Sequence, residues 1–585
     1  MRPTWEDLRI RFRSVPALVW VATVTFGLLL GAWSVLVPLY EAPDEPAHVD
    51  LVVALADGRA YPAFDQRQIA PAVLADCSTF VATGRWCPTP QQPSPGSGVR
   101  HVAGDAPTKF GGPTVGQLGG SAGTSTRSNQ LAQHPPLYYR AMAAVLQAER
   151  AISPWTLSMA HEVALLRLIN ALLIAPLPLL AWGTARRLGV GRRVAATGSL
   201  LPLVVPQLAH IGSTVNNDNG LIILAGVATW LAAAVVRGDS TRGRAVGLGV
   251  VVGAALLTKS SAFVLIPFVV VAYLAGWWRS APDHRRASWS RWVVDLAIVG
   301  TTTVVIAGWW YLRNRMDHGT FTPTIDTRII TERLQPPGFE PSPRAWAGRF
   351  LAWVPARTFG WFGWFSARQS FRLLVLAAAA TVTLVVTGLA WPRSRQERRD
   401  GEDHGRGRPT SRLDLAVILI PGLALLGFVI VRAWGLYVRS GQFPFLQGRY
   451  FFPGVVGAAV VVAAGLHRWS SRWAPAVVLA WASVIQVNAI GTVLHTYWGP
   501  VGGGISTQVG AVIAWSRWPG LLLALGAVLL ILSVIALAGA VGWQVHRGGV
   551  DPAPPGSTRR VARRPREGPA ESLDVVPDGH HRTRT

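Results

Sequence analysis

For a chain of 585 residues with a net charge of +25, this one is short of lysine, with only Lys109 and Lys259, and of charge altogether, at 15% of residues. Half of the residues are hydrophobic, and apolar runs long enough for the roughly 20 residues that cross a bilayer recur along the chain, so it reads as a polytopic membrane protein. The arginines do not point to nucleic acid, because they sit in short segments between apolar runs and in the tail, as in loops kept in the cytoplasm. No phosphate-cradling GxxxxGK[ST] is present, nor a GxGxxG following a strand, which argues against a nucleotide-bound substrate. There are two cysteines, too few for a metal site built on thiolates alone. No small-residue cleavage site follows the first apolar run, which is too long for a signal peptide, and no internal repeat stands out.

What is there is a set of about twelve predicted membrane spans, at 17–40, 163–182, 194–212, 219–236, 245–258, 260–278, 292–312, 371–391, 413–435, 451–466, 473–491 and 520–542. Basic residues gather at alternate connections: Arg9, Arg11 and Arg13, then Arg186, Arg187, Arg192 and Arg193, then Arg237, Arg242 and Arg244, then Arg279, Arg285, Arg286 and Arg291. The stretch from Arg393 to Arg412 continues the series, whereas the intervening loop STVNNDN has no basic residue. The chain is therefore expected in the plasma membrane with both termini in the cytoplasm, and YEAPDEPAHVD at 40–50 outside. The expected division is a cytoplasmic N-terminus at 1–16, a first span at 17–40, a first extracytoplasmic loop at 41–162, spans over 163–312, a second outside loop at 313–370, spans over 371–542 and a basic, disordered cytoplasmic tail at 543–585. The segment 245–258 is too short to cross upright, and with 260–278 it reads as a hairpin turning inside the membrane around TKSSA. Inside the spans, ionisable groups other than Asp295 and Lys259 read as few.

Loops as long as the two outside ones tend to carry function, and short interfacial helices are expected in them. The first holds Cys77 and Cys87, which an oxidising exterior would join, closing a short loop for roughly 2–3 kcal/mol; two free thiols are the alternative. From 88 to 130 the same loop is rich in Pro, Gly, Ser and Thr and is expected to be mobile or to order on a ligand. The arginines of the tail could rest on anionic membrane lipid.

The acidic stretch YEAPDEPAHVD follows directly on the first span, where charge is costly unless paired or wet. Pro43 and Pro46 stop the incoming helix and favour a new one starting near Pro46. Asp44 or Glu45 then stands at a helix N-terminus, where one carboxylate acts as a cap. Four carboxylates and His48 exceed what a cap needs, so two other readings stay open: a general base acting on a hydroxyl, and a divalent-cation site made of Asp44, Glu45 and His48.

An Asp-Glu pair just after the first membrane helix resembles the GT-C glycosyltransferases, which move sugars from polyprenyl-phosphate carriers on the outer face of the membrane. PDEPAHV, HPPLYY at 134–139, STVNNDNGL at 213–221, FGWFGWF at 359–365 and QGRYFFP at 447–453 together resemble an uncharacterised family of bacterial polytopic proteins grouped with that superfamily. The resemblance spans most of residues 17–540. It implies an all-α, GT-C-like fold, and Asp44 or Glu45 as the base that takes the acceptor's proton, the other carboxylate orienting it or an optional divalent ion. The insertion near 88–130 departs from the superfamily pattern.

Other polar points have a plain reading beside a functional one. HPPLYY can be an interfacial helix anchored by Tyr138 and Tyr139, or it can place His134 beside the Asp-Glu pair. Asn217 and Asp218 are turn residues or a polar wall of a substrate pocket, to which Tyr450 and His48 also belong. Lys259 lies between two apolar runs, where an ammonium snorkels or pairs; a lipid-linked phosphate would satisfy it together with Arg449. FGWFGWF suits the membrane interface or the wall of a lipid-carrier route. Arg313, Arg315 and Arg328 oppose the positive-inside trend and could attract an anion.

The sequence therefore leads to an outward-facing, polyprenyl-phosphate-sugar-dependent glycosyltransferase of the cell envelope, with a glycan, lipid or protein acceptor and no nucleic-acid partner. A transporter or flippase of a lipid-linked glycan precursor, or an envelope-assembly scaffold, is the alternative.

Overall fold

The computed structural model describes residues 15–80, 87, 106–109, 111–279, 282–325, 337–390, 410–499 and 504–546, with no side chains described over 282–288. The tail beyond 546, residues 88–105 and most of the Arg393–Arg412 stretch lie outside the described residues.

Helices form wherever the apolar runs lie. α1 (Ala17–Leu36) starts after Pro16 and ends before Pro38, a ring that cannot continue the hydrogen-bond ladder. Three helices of the first loop follow, α2 (Glu45–Ala56), α3 (Pro71–Phe80) and α4 (Leu137–Ile152). α5 (Met159–Ile174) and α6 (Leu177–Arg187) join across Pro176 into one 29-residue span. α7 (Arg192–Leu200) passes through a 3-10 turn into α8 (Pro206–Gly212) with a bend of 69°, placed where Pro206 removes a donor. α9 (Asn217–Val236), α10 (Arg242–Thr258), α11 (Leu265–Trp278) and α12 (Pro282–Thr303) come next. A π-helical turn at Val304–Gly308 leads into α13 (Trp309–His318). α14 (Pro343–Phe359) and a two-stranded hairpin, β1 (Trp361–Phe362) with β2 (Ala367–Arg368), belong to the second loop. α15 (Phe371–Ala390), α16 (Arg412–Ser440), α17 (Val455–Trp469), α18 (Ala474–Tyr497), α19 (Ile505–Trp515) and α20 (Gly520–His546) complete the chain.

Among the described residues ten helices are long and apolar enough to cross a membrane, or eleven if the bent pair counts as one span. The twelfth predicted stretch is α10, and the structure corrects its reading as half of a hairpin within the membrane. α10 has 17 residues, about 25 Å of helix. It leaves the C-terminal end of α9 and finishes beside α9's first turn, where Lys259 Nζ lies 2.5 Å from Asp218 Oδ1. Two antiparallel neighbours so joined traverse the same depth.

The bundle has two chemically different ends. One gathers Arg237 and Arg279 around Asp414, whose carboxylate also closes a capping box with Ser411 at the start of α16. At this end Ser240 Oγ donates to Asp295 Oδ2 at 2.6 Å, so the acid inside α12 is bonded locally, and Arg472 holds the last turn of α20 through the Val545 carbonyl. The described basic connections around Arg186, Arg192, Arg237 and Arg279 all fall here. The other end carries the first long loop, folded over a core of its own that includes Val49, Leu51, Ile69, Val73, Tyr139 and Leu146, with the Cys77–Cys87 disulfide formed inside it.

Four expectations about the loops change. α2 is buried over 11 of its 12 residues and is a core element, not an interfacial helix. Tyr138 and Tyr139 are buried rather than anchoring α4 in the interface. Part of the Pro-Gly-rich stretch is ordered against the loop core: Ile69 N donates to Arg127 O at 2.8 Å and Asn129 N to Arg67 O at 2.7 Å. The FGWFGWF segment is likewise packed on protein, with Phe362 fully buried; at Gly363, φ +57°, a side chain would collide with the Tyr497 hydroxyl.

Candidate functional site

After Pro38 the chain turns back on itself through Tyr40 and Asp44, both in the left-handed region at φ 67° and 64°. Such a conformation costs a non-glycine residue about 1 kcal/mol or more and persists only where surrounding contacts enforce it. Asp44 immediately precedes α2, yet its carboxylate makes no capping bond to the helix. The cap reading therefore fails for Asp44, and Glu45, Asp50 and Asp44 each go to a different set of partners.

Glu45 is enclosed. Arg167 of α5 donates to it twice, Nε to Oε1 at 2.7 Å and Nη2 to Oε2 at 2.5 Å, and the backbone N–H groups of Tyr40 and Val215 add bonds of 2.9 and 3.1 Å. Neither side chain of this ion pair is exposed. Arg167 also caps the carbonyls of Val37 and Pro38 at the end of α1, so Glu45 and Arg167 lock α1, α2, α5 and the loop before α9 into one arrangement. Asp50 does the same for the loop: Arg67 Nε at 2.8 Å, Asn129 Nδ2 at 2.7 Å and Ala70 N at 2.8 Å all donate to it. Glu41, the remaining acid of the stretch before α2, is fully buried.

Asp44 is placed differently. Arg449 Nη2 donates to its Oδ2 at 2.6 Å and Gln130 Nε2 to its Oδ1 at 3.0 Å. Arg449 comes from the 3-10 helix Gly448–Gly454 that precedes α17 and also donates to Pro43 O at 3.3 Å. Its Nε faces Asp218 Oδ2 at 3.6 Å, and neither of these buried atoms has a hydrogen-bond partner. Asp218 stands in the first turn of α9, where Asn216 caps the helix by accepting from Asp218 N. Its other oxygen binds Lys259, and the Lys259 ammonium lies 5.5 Å from the centre of the Tyr450 ring, as does the Arg449 guanidinium. Two carboxylates thus alternate with two cations in the order Asp44, Arg449, Asp218, Lys259. The side-chain amide nitrogens of Asn216 and Asn217 are buried beside the row without partners. Unsatisfied buried polar atoms are uncommon, and a cluster of them calls for water or a ligand.

His48 and His134 border this row. His48 Nδ1 lies 3.1 Å from the Tyr139 hydroxyl, with the two rings stacked at 5.8 Å. Burial, then Lys259 and Arg449, push its imidazole well below the ordinary range. Burial and Lys259 push His134 down to about 3, against Asp218, which acts the other way. Both rings are therefore neutral at pH 7 and add no charge to the row.

The sequence-predicted residues Asp44, Lys259, Arg449, Asp218, Asn217, Tyr450, His48 and His134 accordingly lie at one end of the bundle. Glu45 stands apart from the row, bound up with Arg167. Among the described residues no group of three His, Cys, Asp or Glu side chains is placed to hold a metal ion. The carboxylates of Asp44 and Glu45 go to two different arginines. Arg167 is the residue that sequence reasoning missed, although its signal was there: an arginine inside the apolar run VALLRLINALLI needs a partner. Gln130 and Asn129, in the Pro-Gly-rich part of the loop, carried no such signal.

No curated protein matches the sequence. Among solved structures, ArnT from Cupriavidus metallidurans bound to undecaprenyl phosphate is similar at 16% identity and a TM-score of 0.40, over 91% of this chain and 78% of that one. AglB from Archaeoglobus fulgidus, in complex with an inhibitory peptide and a dolichol-phosphate, is similar at 12% identity and a TM-score of 0.36, over 86% of this chain and 60% of that one. Both likenesses are distant. The model of a family described as predicted membrane protein, DUF2142, matches residues 26–458, and the chain belongs to that family.

Proposed function

We propose that the protein is an integral membrane glycosyltransferase that takes a sugar from a polyprenyl-phosphate donor and delivers it to a hydroxyl on the extracytoplasmic side. The observation that carries this reading is the row Asp44, Arg449, Asp218, Lys259, two carboxylates alternating with two cations on one ledge at one end of an apolar bundle. The positive-inside rule supports the side through the short connections alone, since those around Arg186, Arg192, Arg237 and Arg279 lie at the opposite end, whereas the arginines of a long loop can evade it.

In this reading the donor's phosphate enters between Lys259 and Arg449. An anion there competes with Asp44 for the Arg449 guanidinium, so donor binding itself frees the Asp44 carboxylate. The acceptor oxygen then attacks the anomeric carbon, its proton passes to Asp44, and the bond from that carbon to the phosphate oxygen breaks with its electron pair going to the carrier phosphate. Charge on the phosphate grows as the bond breaks, and preorganised cations stabilise it there. Glu45 acts as a positioning residue, holding the start of α2 so that Asp44 stays turned to the ledge. A divalent ion is not needed to hold the phosphate in this scheme.

The test is transfer from an undecaprenyl-phosphate-linked sugar by the full chain in lipid nanodiscs. Asp44→Asn is expected to bind the carrier and fail to transfer. Unchanged transfer by that variant would remove Asp44 as the base.

A further inference from the structure

A single carrier phosphate is matched by Lys259 and Arg449, but the same end of the bundle holds far more positive charge than that. In the described residues 309–325, 337–372 and 432–447, nine arginines stand against two carboxylates, Asp317 and Glu340. Several are stacked on aromatic rings. The Arg349 guanidinium lies 4.8 Å from the centre of Trp353 and 5.2 Å from that of Phe443. Arg357 lies 4.3 Å from Trp353 and 4.0 Å from Phe365, and Arg368 lies 4.6 Å from Trp361. Arg357 Nη1 donates to Leu446 O at 2.9 Å and Arg368 Nε to Phe365 O at 2.7 Å, so stacking and one backbone bond orient these guanidinium groups, whose charge and further N–H groups suit oxyanions. Arg349 and Arg368 are exposed. The array runs up to the ledge: Arg432 lies over Phe445, Phe445 packs at 6.1 Å on Tyr450, and Tyr450 borders Lys259 and Arg449.

From this array we infer that the acceptor is an anionic glycan, a sugar polymer whose repeats carry carboxylates or phosphates, docked on the arginine-aromatic surface of α14, the β1–β2 hairpin and the outer end of α16. The inference rests on the transferase reading for the word acceptor, and on charge complementarity for the word anionic. A line of separate cations suits repeated charges spaced along a chain better than one headgroup, and such a field also raises the encounter rate.

The experiment measures binding of a decameric oligogalacturonate to the full chain in phosphatidylcholine nanodiscs, with a dextran of equal length as the neutral control. The expected result is salt-sensitive binding of oligogalacturonate and none of dextran. Arg349→Gln and Arg368→Gln, both outside the ledge, should each weaken binding roughly two- to fivefold, while Arg140→Gln on α4, an exposed arginine elsewhere on the first loop, leaves it unchanged. Equal binding of dextran, or oligogalacturonate binding that ignores Arg349→Gln and Arg368→Gln, overturns the inference. So does a loss on substitution confined to phosphatidylglycerol vesicles, which makes the surface a membrane anchor. No sugar transfer is needed for this readout, so a failed transfer assay removes the word acceptor and leaves the anionic-glycan surface standing, and failure of the binding test leaves the Asp44 test untouched.

Discussion

Arg449 Nε and Asp218 Oδ2 face each other across 3.6 Å, both buried and neither hydrogen-bonded. In the proposed function this guanidinium, which already holds Asp44, is the group that takes the donor's phosphate. Replacing Arg449 by lysine keeps the charge and loses the fork. Arg449→Lys is expected to weaken undecaprenyl phosphate binding roughly 10- to 100-fold, read by titration in nanodiscs. Equal affinity would place the phosphate elsewhere.

Asp218 and Lys259 form a pair of which each member supports the other, because removing one leaves a buried charge uncompensated. Lys259→Met and Asp218→Asn are each expected to lower thermal stability, and the double variant to be less destabilised than the sum. A strictly additive double variant would mean that the 2.5 Å contact contributes nothing.

Glu45 and Arg167 answer a different assay from Asp44. Glu45→Ala strands Arg167 in the apolar bundle and should cost about 3–5 kcal/mol of stability. Glu45→Leu with Arg167→Met should recover part of that, measured by thermal unfolding in the same lipid. If Glu45→Ala were as stable as the parent chain and only inactive, Glu45 would be a reacting group after all.

Asp76 gives the chain a pH dependence of its own. Burial raises its carboxyl from 3.8 to about 6, against the bond from the Tyr40 hydroxyl. The folded form therefore holds a proton that the unfolded chain has released, and Asp76 lowers stability progressively as pH rises from about 4 through 6. Asp76→Asn removes this loss and can still accept from Tyr40. It should be more stable than the parent by roughly 1–3 kcal/mol at pH 8 and closer to it at pH 4, seen as a pH-dependent difference in unfolding midpoint. A difference independent of pH would rule out titration of Asp76 as its source.

Most of the helical architecture was legible because hydropathy reports span positions directly: each of the twelve predicted stretches overlaps a helix of the structure or the bent pair, although the first helix stops at Leu36, short of the predicted residue 40. The exception was the course of 245–258, read as too short when counted from its apolar residues alone; Arg242, Arg244 and the Thr241 cap extend α10 by a turn. Lys259 and Asp44 could be singled out because each is a charge next to hydrocarbon, and Arg449 because it stands in QGRYFFP and a guanidinium suits phosphate. Their pairing could not, since Asp218 lies 41 positions from Lys259 and Arg449 lies 405 from Asp44, and no local rule links such distances. The separate fates of Asp44 and Glu45 were hidden for a further reason. They follow from a left-handed φ at Asp44, which turns adjacent side chains to opposite partners and leaves no trace in residue type.

The central claim is that donor phosphate and Asp44 compete for Arg449, and the most direct measurement is undecaprenyl phosphate affinity in Asp44→Asn set beside its transfer rate. The account predicts carrier binding at least as tight as in the parent chain, with transfer lowered by about 10²- to 10⁴-fold. Carrier binding lost together with transfer would contradict it, because Asp44 would then be holding the site together rather than waiting for the phosphate to release it.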